Sequence, residues 1–168
     1  MEEVRFYQRC GSPTESQFRH GRLRPVCTKC GAISFADPKV VVAVIAEMGG
    51  KIVMIRRDNE PGRGKWTIPG GFADRGEIVE EAAAREFLEE TGLKTEVTGL
   101  IGVYSKSEDT NILVVYGSKL VGGELVAGQE AQDVGLFDIE SLPPLAFERD
   151  VSILKEWQAA KARRRGRA

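Results

Sequence analysis

The chain has 168 residues, of which 42% are apolar and 29% are charged, and its formal net charge is −1. No apolar run approaches the roughly 18 residues of a membrane-spanning helix, and the N-terminal stretch MEEVRFYQRC is charged where a secretory signal is apolar. The composition is ordinary for a globular protein, so we expect a cytoplasmic protein and neither a membrane span nor a disulfide scaffold.

Residues 1–36 contain all three cysteines. Glycine follows the first and the third of them, in Cys10-Gly11 and Cys30-Gly31. Glycine permits the tight turn that brings backbone N–H groups towards a thiolate. Together with the spacing Cys27-x2-Cys30, this pattern is more typical of a metal-binding turn than of a disulfide.

After a boundary turn at Asp37-Pro38, the apolar β-branched run 39–46 predicts a buried central strand. Gly49-Gly50 predicts a hairpin turn, residues 51–56 the returning strand, and residues 58–65 a loop. Arg56 and Arg57 end that strand, and their guanidinium groups are candidates for binding substrate phosphates.

Residues 78–91 contain no proline or glycine and predict a helix that ends at Gly92. Helical spacing places Glu86, Glu89 and Glu90 on one face, and Glu77 lies where negative charge suits the helix dipole. Clustered carboxylates repel one another, so the pattern favours a compensating hard cation, Mg²⁺ or Mn²⁺.

The remainder predicts two long strands at 94–104 and 111–121, a short strand at 132–139 and a closing amphipathic helix over 147–164. Mixed strands between two helices indicate an α/β/α sandwich. Basic residues gather near the C-terminus, and we interpret them as a solvated helix end: Lys161, Arg163, Arg164, Arg165 and Arg167. The rest of the chain is mildly acidic, so nucleic acid is not an expected partner.

The segment from Gly71 to Leu93 follows the pattern G-x5-E-x7-R-E-U-x-E-E-x-G-U and resembles the motif of the Nudix hydrolases. Phe87 fills an apolar position where smaller aliphatic residues are commoner. The resemblance implies an α/β Nudix fold with a mixed sheet over residues 37–162, followed by a basic tail at 163–168.

The same resemblance implies divalent-metal-dependent cleavage of a pyrophosphate. It assigns the Mg²⁺ or Mn²⁺ ligands to Glu86, Glu89, Glu90 and the carbonyl of Gly70. It gives Arg85 an orienting role through an ion pair with Glu77. The general base is open, and the later loop offers Glu130 and Asp133 as candidates.

The N-terminal segment resembles the small β zinc ribbon of one Nudix branch, except that Tyr7 stands where that pattern has its first cysteine. Three alternatives are open: zinc bound by Cys10, Cys27, Cys30 and His20; zinc bound by the three thiolates and water; or a metal-free fold packed around Tyr7.

The chain lacks the SQPWPFPxS motif of NADH pyrophosphatases and is more similar to FAD and ADP-ribose pyrophosphatases. This implies a small-molecule nucleotide substrate, a nucleoside diphosphate linked to another moiety, cleaved to AMP and a phosphorylated fragment. Alternatives are a nucleoside triphosphate, NAD(H) or a capped RNA end, and, in another class, a nucleic-acid-binding or regulatory module with an inactive site. A homodimer is an expectation at family level. Candidates for stacking on a substrate ring are Phe6, Tyr7, Phe35 and Tyr104.

Overall fold

The computed structural model describes residues 4–165, in two compact units that divide after Pro38. Arg167 and the last part of the predicted basic tail lie outside the described residues.

The first unit is built on a two-stranded antiparallel hairpin, β1 (Thr14–Arg19) and β2 (Arg22–Cys27). Its turn consists of His20 and Gly21, both with positive φ, at 50° and 79°. A turn with two left-handed residues matches the twist of a two-residue hairpin.

The second unit contains the remaining strands and both long helices. The strands are β3 (Lys39–Ile45), β4 (Glu47–Met48), β5 (Lys51–Arg57), β6 (Trp66–Thr67), β7 (Gly70–Phe72), β8 (Leu93–Tyr104), β9 (Asn111–Gly123) and β10 (Ala131–Phe137). The helices are α1 (Val79–Thr91) and α2 (Glu148–Arg165), with a short 3₁₀ turn at Ile139–Ser141.

These strands form two four-stranded sheets within residues 39–165. One has the order β7-β3-β9-β8, in which only the β3–β9 pair is parallel. In the other, β5 is flanked by β10 and β4, and β6 also pairs with β5. The mixed sheet and the α/β class agree with the prediction.

Strand β3 shows why the sheet is covered on both sides. Val42 and Val44 pack in a buried cluster with Phe87 of α1, whereas Ile45 packs in a second cluster with Leu154 of α2. A strand buried on both faces needs apolar residues at consecutive positions, which explains the unbroken apolar run. The result is an α/β/α sandwich.

Helix α1 begins one residue after the predicted start and ends where predicted. Gly92 adopts φ 71° and its N–H donates to the carbonyl of Leu88. A side chain at position 92 would place Cβ 2.4 Å from the carbonyl oxygen of Glu124, so close packing requires glycine there as well.

The sequence did not predict the three short strands β4, β6 and β7, because two or three residues are too few to show a periodicity. They are positioned by pairing with β5 and β3. None of the helices within residues 4–165 is both long and apolar enough to cross a membrane.

Phe87 is completely buried, whereas its neighbour Leu88 is 40% exposed. We expect Phe87→Ala to lower the free energy of unfolding by about 3–5 kcal/mol, since it removes a buried ring and leaves a cavity. The matched control Leu88→Ala should change it by less than about 1 kcal/mol. Urea denaturation of both variants tests this, and equal losses would contradict the burial of Phe87.

Candidate active site

Arg85 joins the acidic residues around the start and middle of α1. Its Nε and Nη2 donate to the two carboxylate oxygens of Glu77 at 2.6 and 2.9 Å. Its Nη1 donates to Glu86 at 2.8 Å and to Glu89 at 3.0 Å, and Nη2 also reaches the carbonyl of Phe72 at 3.1 Å. One guanidinium therefore fixes three carboxylates, and the two-oxygen contact with Glu77 sets the plane of the fork.

Glu77 is the anchor of this arrangement. Besides Arg85, its carboxylate accepts the backbone N–H of Asp74 at 2.9 Å. The hydrogen bonds from Arg85 and then from Asp74 lower the pKa of Glu77 to about 2. Glu77 is therefore ionised at any physiological pH and serves to hold Arg85.

Glu86 lies against a glycine that leaves room for its carboxylate. A Cβ at Gly71 would come 2.2 Å from Glu86 Oε2. Burial raises the pKa of Glu86, and the charges of Glu89 and Glu130 add to this, whereas the hydrogen bond and charge of Arg85 oppose it. Burial therefore outweighs the neighbouring arginine in setting the pKa of this carboxylate.

Glu90 is the most buried of the glutamates, with 8% of its surface exposed. Its Oε2 accepts the backbone N–H of Gly70 at 2.6 Å. Burial raises the pKa of Glu90 to about 8, and the charges of Glu86 and Glu130 contribute in the same direction. Gly70 of β7 thus contacts α1 through its backbone N–H. Metal binding by the Gly70 carbonyl stays a prediction.

The loop before β10 carries Glu130 towards these carboxylates, and it is tied to the end of α1. The N–H of Gly128 donates to the carbonyl of Glu90 at 3.0 Å, and a Cβ at Gly128 would lie 1.8 Å from the carbonyl oxygen of Glu89. Because Glu130 raises the pKa of both Glu86 and Glu90, its charge belongs to the same site.

Asp133 is placed differently. Its Oδ1 accepts the backbone N–H of Val134 at 2.9 Å. Of the two predicted candidates for the base, Glu130 is the one whose charge raises the pKa of Glu86 and Glu90.

The two candidate phosphate-binding arginines end β5. Arg56 donates through Nε to the carbonyl of Gly64 at 2.9 Å. Arg57 donates to the carbonyl of Pro61 at 2.8 Å, lies 5.2 Å over the ring of Phe147, and lowers the pKa of Glu90 by its charge. Arg57 is therefore the arginine of this pair whose charge reaches the site.

The donor set suits a hard divalent cation, since Glu86, Glu89 and Glu90 offer carboxylate oxygens. Burial raises the pKa values of Glu86 and Glu90, and neighbouring carboxylates add to the effect. Among the described residues, however, only the cysteine trio has three ligand atoms within 4.8 Å of one another. Arg85 bridges Glu86 and Glu89, and the N–H of Gly70 binds Glu90 separately.

The cysteine trio lies in the first unit. Cys10 Sγ is 3.5 Å from Cys27 Sγ, and Cys30 completes a group whose sulfur atoms lie within 4.8 Å. Hydrogen bonds from Ser12, and then one involving Cys27, lower the pKa of Cys10 to about 7. A thiol with a lowered pKa is more readily deprotonated to a metal-binding thiolate, and this applies to Cys10. The pKa of Cys30 is raised.

Two turns that share one backbone hydrogen bond carry these cysteines. In the second, the N–H of Gly31 donates to the carbonyl of Cys27 at 3.0 Å; in the first, the N–H of Gly11 donates to the carbonyl of Tyr7 at 2.8 Å. Tyr7 therefore occupies in the first turn the place that Cys27 occupies in the second.

His20 does not complete the cysteine cluster, and that alternative is wrong. It lies in the turn at the tip of the hairpin, while Cys27 pairs with Thr14 at the opposite end. Six residues of strand separate the two ends by about 20 Å. His20 instead fills a left-handed turn position, where histidine is enriched.

The aromatic candidates divide between the two units. Tyr104 packs in the α2-side cluster and donates to Glu156 at 3.0 Å. Phe6 and Phe35, like Tyr7, belong to the first unit, where both phenylalanine rings are more than half exposed.

Asp150 is a buried residue that the sequence did not single out. It accepts the hydroxyl of Thr67 at 2.7 Å, and burial raises its pKa. Because Thr67 precedes the turn that carries Gly70, this hydrogen bond ties the first turn of α2 to the segment beside Glu90. An aspartate in the first turn of a helix gives no sequence pattern that distinguishes it from an exposed capping acid.

Comparison with known proteins gives three consistent findings. The family model described as NUDIX domain matches residues 37–157. The chain is 41% identical over 131 residues to an ADP-ribose pyrophosphatase of Methanocaldococcus jannaschii, covering 76% of this chain and 77% of that protein. A crystal structure of a NUDIX hydrolase from Nitrosomonas europaea superposes with a TM-score of 0.85 at 33% identity, covering 90% of this chain and 89% of that one.

A second group of relatives consists of longer proteins. The chain is 28% identical over 151 residues to the NAD-capped RNA hydrolase NudC of Pseudomonas aeruginosa, covering 88% of this chain and 52% of that protein. The chain thus spans about half the length of these relatives.

The raised pKa of Glu90 predicts how the stability of the metal-free protein depends on pH. The ordinary pKa of glutamate is about 4.3, so between that value and about 8 the folded state binds more protons than the unfolded state. Stability must therefore fall as pH rises through this window. Thermal unfolding in EDTA between pH 5 and 8 should show a decreasing Tm.

Glu90→Gln should flatten that decrease, whereas Glu81→Gln, an exposed position on the same helix, should follow the wild type. A Glu90→Gln profile parallel to that of the wild type would mean that Glu90 is ionised throughout the window.

Proposed function

The chain belongs to the Nudix hydrolase family, and on this basis we propose that it is an Mg²⁺- or Mn²⁺-dependent pyrophosphohydrolase. The proposed substrate is a nucleoside diphosphate linked to another moiety, ADP-ribose first and FAD second. The products are AMP and a phosphorylated fragment. The observation that carries the proposal is the arrangement of Arg85, Glu77 and the α1 glutamates on the Nudix motif.

Glu86 and Glu90, with Glu89, are the proposed ligands of the divalent cation. When bound, the cation neutralises the phosphate oxygens and lowers the pKa of a bound water. Arg85 keeps Glu86 and Glu89 oriented, and Glu77 in turn fixes Arg85. The N–H of Gly70 holds the carboxylate of Glu90 in one rotamer.

In the proposed reaction, water attacks one phosphorus of the P–O–P bridge and the bridging P–O bond breaks. Glu130 is the better candidate to accept the proton from water, because its charge acts on Glu86 and Glu90 while the Asp133 carboxylate is engaged by Val134. Arg57 is the proposed contact to substrate phosphate, where it would reduce the repulsion between phosphate and the acidic site.

ADP-ribose stands first because the relative with 41% identity bears the name ADP-ribose pyrophosphatase and the match covers three quarters of both chains. A second candidate is an NAD-capped RNA end, favoured by the NudC relatives, whose match covers 88% of this chain. Both are pyrophosphates that contain an adenosine diphosphate, so the same site chemistry serves either. Cytoplasmic location and a homodimer stay predictions.

We further propose a structural zinc ion bound by Cys10, Cys27 and Cys30. Three sulfur atoms within 4.8 Å of one another match the soft-ligand geometry of zinc, but one tetrahedral position is without a thiolate. The equivalence of Tyr7 and Cys27 in the two turns identifies where the fourth ligand is missing.

Replacing a metal ligand should abolish activity without unfolding the chain. With ADP-ribose and Mg²⁺, we expect Glu90→Gln to reduce kcat/KM at least about 100-fold, since even outer partners of metal ligands are worth about 10–100-fold. Chromatography with mass detection of AMP and ribose 5-phosphate measures the reaction.

The control Glu81→Gln makes the same chemical change on an exposed part of the same helix and should retain activity. If the wild type released no AMP from ADP-ribose or FAD but cleaved an NAD-capped oligonucleotide to nicotinamide mononucleotide and a 5′-monophosphate oligonucleotide, the second candidate would be selected instead. Full activity of Glu90→Gln would exclude the proposed site.

The zinc proposal predicts that Tyr7→Cys increases zinc affinity at least tenfold by supplying a fourth thiolate, whereas Tyr7→Phe leaves it unchanged. Competition with a colorimetric zinc chelator measures both. Zinc retention that does not change between Tyr7→Cys and Tyr7→Phe, or that survives Cys27→Ser, would contradict the assignment.

A further inference from the structure

One face of the β1–β2 hairpin concentrates positive charge. Arg19 lies directly opposite Arg22 in the antiparallel register, and Arg24 follows two residues along β2. Since side chains two apart on a strand share a face, the three arginines project from the same side, here named the basic face.

An exposed aromatic ring extends this face. Val26 pairs with Ile33, which continues the sheet beyond β2 and brings Phe35 alongside Arg24. The guanidinium carbon of Arg24 lies 4.9 Å from the centre of the Phe35 ring, and the ring is 53% exposed. The basic face therefore combines guanidinium groups with an accessible stacking surface.

The arginines have no acidic partners among the described residues. No ion pair within 4.0 Å involves Arg19, Arg22 or Arg24, and Glu15, the acid on the same face, accepts a hydrogen bond from Gln17 instead. The buried Nε of Arg24 also lacks a hydrogen-bond partner.

This arrangement costs the hairpin stability, because like charges placed directly opposite on a sheet repel. Exposed charge on a hairpin can also serve solubility or prevent edge pairing. Those purposes require neither three arginines on one face nor an aromatic ring beside them. A polyanion relieves the repulsion, and unpaired bases make use of the ring.

We propose that the basic face binds single-stranded nucleic acid, with Arg19, Arg22 and Arg24 on phosphates and Phe35 stacked on a base. A single strand fits better than a duplex because stacking on Phe35 requires an unstacked base. The expectation that nucleic acid is not a partner rested on average charge, which conceals this concentration. The inference is independent of the small-molecule substrate proposed for the second unit.

The test is fluorescence anisotropy of a labelled 20-nucleotide oligouridine, titrated with the full chain at several salt concentrations. Arg19→Gln/Arg22→Gln should weaken binding about tenfold or more at 50 mM salt and reduce the salt slope by about 1.4, at about 0.7 per lost phosphate contact. A parallel titration with oligodeoxyuridine, which keeps the same base, should give an equal affinity because the proposed contacts are to phosphate and base alone.

The matched control is Arg5→Gln/Arg9→Gln, which removes the same charge from exposed arginines elsewhere in the first unit. It should change affinity by less than threefold, and no variant should have a Tm below that of the wild type. Equal losses of oligouridine affinity in the two double variants would mean that net charge alone determines binding, and would overturn the proposal.

Phe35→Leu tests the stacking contact separately. It should weaken oligouridine binding several-fold and leave binding of inorganic polyphosphate unchanged, and equal affinity for oligouridine would overturn the role of Phe35. If Arg19→Gln/Arg22→Gln changes the sedimentation coefficient of the protein but not its oligouridine affinity, the basic face is an interface between copies of this chain and the proposal fails.

Discussion

The site depends on the ion pair between Arg85 and Glu77. Nε and Nη2 of Arg85 donate to the two carboxylate oxygens of Glu77. Nη1 is therefore left to bind Glu86 and Glu89. A lone surface pair would contribute about 0–1 kcal/mol to stability, but here the pair is part of a network that sets side-chain positions. Its importance lies in orientation, because it fixes the guanidinium that binds Glu86 and Glu89.

Close backbone approach is the second constraint, and glycines make it possible. Gly71 leaves space for the Glu86 carboxylate, and Gly70 lies so near β3 that a Cβ would be 2.1 Å from the carbonyl oxygen of Val42. Both glycines belong to a strand of three residues that is held by β3. The sandwich therefore positions the glutamates from two sides, through the core beneath α1 and through the turn beside it.

The sequence predicted the parts of the molecule whose information is local. Helix α1 and its end at Gly92 follow from helix propensity and glycine conformation, and the buried β3 follows from its apolar run. Contacts between residues far apart in the chain could not be predicted from the sequence. The hydrogen bond between Thr67 and Asp150 joins residues 83 positions apart, and the failure of His20 as a zinc ligand depends on the hairpin register. The net charge of the chain likewise gave no sign of the basic face, because its arginines are brought together only by the same register.

The bond between Gly128 and the carbonyl of Glu90 also bears on how the site comes into being during folding. The last turn of α1 leaves carbonyl groups without helical partners, and two of these are met by the loop before β10, through Val126 to Thr91 and Gly128 to Glu90. That loop follows β9, so it can dock only after the chain has travelled through two long strands and returned. A peptide carrying the motif from Gly71 to Leu93 alone can form a helix, but it lacks the partners that complete the helix end and seat Glu90. Competence to bind metal should accordingly arise late and cooperatively, as a property of the closed sandwich.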